Sequence, residues 1–84
     1  MKDSNSLKKK IIYRYKYRGT KEMDILLSKF VDQHIVNLSH EDLEILYDFL
    51  KFEDEDIYNF YQGLDNKDLV KKNKFFKLLR NFKI

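Results

Sequence analysis

The chain has 84 residues with no cysteine and no proline, so a single thin-cored domain is expected, with no disulfide and no thiolate-based zinc site to reinforce it. Seven Phe and six Tyr supply the apolar surface that packing needs instead. The net charge of +3 hides a division: residues 1–18 carry seven basic side chains against Asp3, residues 19–64 carry eleven carboxylates against Lys21, Lys29 and Lys51, and residues 65–84 are basic again.

Leu7, Ile11 and Tyr15 recur at four-residue spacing with Ile12 beside them, which predicts a first helix over residues 6–17, preceded by a frayed stretch over 1–5. Gly19 is placed to end it, and Thr20 to cap the next helix with Glu22 and Asp24 in its first turn. Met23, Leu26, Leu27, Phe30, Val31 and His34 then follow the helical template up to about Val36 and Asn37.

Ser39 reads as the cap of a third helix over residues 40–51, with Asp42 as an imperfect capping-box partner and Leu38 and Leu43 as the hydrophobic staple. Its two apolar stripes, one through Leu43, Leu46, Tyr47 and Leu50 and another through Ile45, Phe49 and Phe52, imply neighbours on two sides. Asp54 is placed to cap a short fourth helix over 55–61 that Gly63 stops. Asp65 or Asn66 is expected to cap a fifth helix over 67–82, with Phe75, Leu78, Leu79 and Phe82 on one face. No stretch has strand periodicity and nothing repeats, so the expected fold is an all-α, compact five-helix bundle in which short loops make successive helices neighbours.

Catalysis is not expected. The sequence holds no Walker or dinucleotide loop, no H-E-x-x-H and no EF-hand pattern, and residues 53–56 lack the alternating ligands and glycine of a calcium loop. His34 falls on an apolar stripe, where a satisfied boundary histidine outweighs a catalytic base, and His40 is expected to be solvated. No apolar run nears the ~18 residues of a membrane span, and residues 1–6 are polar, so no membrane insertion or leader is expected and the bacterial cytoplasm is the expected location.

One segment exceeds the needs of a scaffold. A capped turn accounts for Gly19 and Thr20 but not for Arg18 and Glu22, which would set a cation and a carboxylate together on an exposed corner. Arg18-Gly19-x-x-Glu22-Met23-Asp24 resembles the R-G-x-x-E-L-D motif of the SdhE-type flavinylation factors, also called succinate dehydrogenase assembly factor 2. The resemblance continues through Leu26, Leu27, Phe30, Leu38-Ser39, Tyr47-x-Phe49-Leu50 and Asp54-Glu55-Asp56-Ile57-Tyr58-Asn59-Phe60, covering about residues 11–63. Met23 stands for the usual leucine, Glu55 for a frequent proline and Phe60 for a typical tryptophan.

The resemblance implies a small helical assembly factor that binds the flavoprotein subunit of succinate dehydrogenase, or of fumarate reductase, and promotes its covalent attachment to FAD. The cofactor would belong to the client, and the factor would act as a monomer without catalysis of its own. Carried over by position, Arg18, Gly19 and Glu22 would centre the client-binding surface; Asp24 would support the helix start, and Asp54, Asp56, Asn59 and Phe60 would shape a neighbouring patch. A second reading stays open, an RNA-binding or toxin-neutralising module, because Lys8, Lys9, Lys10, Arg14, Lys16 and Arg18 interleave with Tyr13, Tyr15 and Tyr17.

Overall fold

The computed structural model describes residues 4–16, 21–64 and 67–82. Among them the chain forms α1 (Ser4–Lys16), α2 (Lys21–His34), a 3₁₀ turn (Ile35–Asn37), α3 (His40–Phe49), α4 (Asp54–Tyr61), α5 (Lys67–Lys72) and α6 (Phe75–Arg80), and no strand. The all-helical expectation holds, with six α-helices in place of five. The expected roles of Gly19, Thr20, Asp65 and Asn66 as helix stops and caps lie outside the described residues.

The extra helix comes from Asn73, which divides the expected 67–82 helix. Its side chain is buried, with Nδ2 donating to the Ile45 carbonyl and Oδ1 accepting from the Phe75 backbone N–H, each at 2.9 Å. A side chain that bonds the backbone two residues on offers the chain a turn in place of a helical bond. The ladder accordingly runs to Asn73, whose N–H reaches Leu69, and restarts with the shorter-range bonds Phe76 to Asn73 and Lys77 to Lys74.

Four other expectations need correction. Helix α1 starts at Ser4, so residues 4 and 5 are helical, and the reason is His40: its Nδ1 lies 3.0 Å from Ser4 Oγ while Nε2 lies 3.2 Å from Glu44 Oε1. His40 is thereby a half-buried tie between α1 and α3, not a solvated residue. Ser39 caps α3 by accepting from the Asp42 N–H at 3.2 Å, but Asp42 does not complete a capping box, because its carboxylate pairs with Lys74 Nζ. In α4 the cap position belongs to Glu53, which makes no side-chain cap bond, and Asp54 is the first helical residue.

Gly63 stops α4 as expected. It adopts φ 86°, its N–H bonds the Phe60 carbonyl, and the Leu64 N–H bonds the Asn59 carbonyl. That pair of bonds is the Schellman closure, which places its left-handed residue where a Cβ would be penalised.

Helix α3 packs against α1 and against α6, α4 and α5 both rest on α6, and α2 packs on α1, giving a globule with a radius of gyration of 12.3 Å. Its centre is aromatic. Phe30, Phe49, Phe60, Phe75 and Phe76 are all fully buried, and Phe76 meets Phe49, Phe52 and Phe60 at ring separations of 4.8, 4.9 and 5.1 Å in edge-on geometry. Edge-to-face contact is the favoured arrangement of aromatic quadrupoles and adds about 0.5–1.5 kcal/mol per pair beyond area burial.

Candidate partner-binding site

The first turns of α2 and α4 come together to form a groove of about 520 Å³, lined by Glu22, Met23, Asp54, Glu55 and Tyr58. Helix periodicity explains the arrangement. On α2, Met23 belongs to the inward stripe and is 2% exposed, while its neighbour Glu22 faces outward at the rim. On α4, Glu55 is exposed and Tyr58, one turn further on, is half-buried. The groove therefore combines an apolar floor with a rim of carboxylates, each in the first turn of a helix, where the backbone dipole favours negative charge.

A second hollow, of about 420 Å³, lies on another flank of the same α4 turn; Asp54 and Glu55 line it together with Tyr13 and Arg14 of α1 and Lys51 and Phe52 after α3. The start of α4 thus projects between two concavities.

The expected site residues are distributed unevenly. Arg18 and Gly19 lie outside the described residues. Glu22 and Asp54 share the first groove. Asp24 is half-buried, and its Oδ1 is buried without a hydrogen-bond partner among the described residues. Asp56 is exposed and Asn59 half-buried, the latter giving its backbone carbonyl to the α4 closure.

Phe60 does not face a partner: it is 1% exposed, packed edge-on against Phe76, with the Arg80 guanidinium 4.1 Å above its ring. Its place in the patch is corrected to the core beneath it. Sequence reasoning missed Glu55, Met23 and Tyr58 as groove residues. The available signal was the spacing of Glu55 and Tyr58 on one side of a helix whose Ile57 and Phe60 point inward.

Among the described residues no group of three or more His, Cys, Asp or Glu could hold a metal. His34 is satisfied locally, its Nδ1–H donating to the Phe30 carbonyl at 2.8 Å with the ring 4.6 Å from that of Phe30. Tyr15 is 5% exposed, and its hydroxyl donates to Asp32 Oδ1 at 3.5 Å. Burial, then the Asp32 charge and hydrogen bond, raise its pKa above the usual tyrosine value. Tyr13, two residues away, is 68% exposed, so the tyrosines of α1 do not form one stacking face.

No helix of the described residues is long and apolar enough to cross a membrane. Fold and groove together define a small all-helical domain with an acid-rimmed, apolar-floored cleft between two helix starts. Residues 9–83 match the family described as flavinator of succinate dehydrogenase, and the chain belongs to that family. It is 36% identical over 56 residues to the protein of Aspergillus terreus named succinate dehydrogenase assembly factor 2, mitochondrial, a match covering 67% of this chain and 19% of that relative. The chain thus matches about a fifth of the length of that relative. No solved structure matches the chain.

Proposed function

We propose that this chain binds the flavoprotein subunit of succinate dehydrogenase and promotes covalent attachment of FAD to it, acting as an assembly factor and not as an enzyme. The observation that carries the reading is Glu22: in a member of the flavinator family, it stands exposed at the rim of a groove that α2 shares with α4. An exposed carboxylate above a buried apolar floor gains strength when a partner excludes water from it.

The flavin and its client supply the bond-forming chemistry, and this chain supplies differential binding to the client conformation in which attachment proceeds. Arg18 and Gly19 act with Glu22 on that surface, FAD stays with the client, and the chain works as a monomer in the bacterial cytoplasm. Fumarate reductase is a second client of the same chemistry.

Co-expression with the flavoprotein subunit is the direct test. Covalent flavin, seen as fluorescence of the denatured subunit in a gel, rises with this chain present and falls back with Gly19→Arg or Glu22→Ala. Equal fluorescence with and without the chain would remove the proposal. The RNA-binding reading loses support from Tyr15, which is committed to Asp32 and the core; absence of any shift of labelled RNA at physiological salt would remove it.

A further inference from the structure

Arg80 is held in place by the fold but not neutralised by it. The residue is exposed in the last turn of α6, and its guanidinium lies 4.1 Å over the ring of Phe60, which is itself buried. Among the described residues it forms no ion pair and its side chain donates no hydrogen bond. Lys74, just before α6, differs, because its charge is met by Asp42. Lys77, exposed three residues before Arg80, has no such partner among the described residues. A helix end attracts cations to its last turn, but that does not fix one over an aromatic ring. Covering Phe60 needs only the apolar stem of the side chain, so the donors of the guanidinium are left unused.

This arrangement favours one kind of occupant. Binding through an arginine ordinarily freezes several rotors, and here Phe60 already restricts them. A guanidinium so held suits a planar anionic group taken in two parallel hydrogen bonds, a carboxylate or a phosphate. Nucleic acid also needs aromatic platforms for its bases, and the rings here are taken: Phe75 and Phe76 are fully buried and Arg80 itself covers Phe60. A membrane surface needs an apolar face to enter the headgroup layer, and Leu78 is the one large apolar side chain that α6 exposes. We propose that Arg80, with Lys77 beside it, docks an aspartate or glutamate side chain of the client flavoprotein, a contact additional to that at Glu22. The inference rests on the proposed function for the identity of the client and goes beyond it in naming what the client must present.

The test uses the full chain and the purified flavoprotein subunit before flavin attachment, titrated at low and at high salt. Arg80→Met keeps an apolar stem over Phe60 and weakens binding about tenfold, the loss of a hydrogen-bonded charge. It also flattens the salt dependence, because one screened attraction is gone. Arg80→Lys keeps the charge without the two-pronged geometry and weakens binding by about threefold, which decides alone should circular dichroism show Arg80→Met unfolded. Lys9→Gln, an equal loss of charge at an exposed position of α1, leaves binding unchanged. Unaltered binding by both Arg80 variants, or an equal loss in Lys9→Gln, would overturn the inference. So would a loss in Arg80→Met of binding to labelled RNA, to anionic lipid vesicles or to a second copy of this chain while flavoprotein binding stays intact. No binding by the unaltered chain would instead overturn the proposed function, and with it the inference.

Discussion

The side-chain amide of Asn73 donates to the carbonyl of Ile45 at 2.9 Å, fastening the junction of α5 and α6 to α3. The same side chain accepts from the Phe75 N–H, so one buried residue both breaks a helix and ties the break down. Asn73→Ala strands the Phe75 N–H in a fully buried setting, and an unsatisfied buried donor costs about 1–3 kcal/mol. Urea denaturation should show that loss. Asn73→Asp keeps the acceptor but faces the Ile45 carbonyl with an oxygen, and should also be less stable than the unaltered chain.

Gly63 provides a case in which backbone strain acts alone. A Cβ added there would meet nothing within 4 Å, yet the residue sits at φ 86°. Gly63→Ala should therefore destabilise by about 1–2 kcal/mol, the penalty of a left-handed conformation for an L-residue. In a chain of this length each kcal/mol lowers the thermal midpoint by about 4–8 °C, which calorimetry resolves. Gly63→Asn should lose less, because asparagine tolerates that region better.

Periodicity made the helices legible, and it made Gly63 and Ser39 legible as a stop and a cap, because each acts on its own neighbours in sequence. Asn73 was not legible in that way. An asparagine within a lysine-rich helical run reads as surface, and only the approach of Ile45 from α3 gives its amide a buried partner. His40 was misread for the same reason: its partner Ser4 lies 36 positions away. At the groove, Glu22 and Asp54 were named from a motif, but that they share one concavity depends on how α2 and α4 meet. Phe60 was misplaced because a motif gives a residue's company along the chain and not the direction in which its ring points.

Tyr15 makes stability depend on alkaline pH. Its pKa is raised in the folded chain, first by burial and then by Asp32, from the ordinary value of 10.0. A raised folded value means that the contribution is fully present below the unfolded pKa and is lost as pH rises through the folded one. Tyr15→Phe should therefore lose less stability than the unaltered chain as pH climbs above about 10. Denaturation midpoints across that range check the sign. Asp32→Asn should bring the Tyr15 titration, followed by ultraviolet absorbance, part of the way back, since burial remains.

Glu22 and Phe60 should separate binding from folding. Glu22 is exposed in the first turn of α2, and such a position away from buried partners is worth under about 0.5 kcal/mol. Glu22→Ala should therefore unfold at nearly the unaltered urea concentration and still fail to raise covalent flavin on a co-expressed flavoprotein subunit. Phe60→Ala should do the reverse in order of cause. It removes a fully buried ring from between Phe76 and Arg80, and aromatic truncation in a core costs about 3–5 kcal/mol, enough to unfold a chain this small. Its loss of function should follow its loss of helix content and recover at low temperature or with an added stabilising osmolyte, whereas that of Glu22→Ala should not recover. If the Glu22→Ala defect were rescued in the same way, Glu22 would be a structural residue and the surface around the groove would not be the docking face.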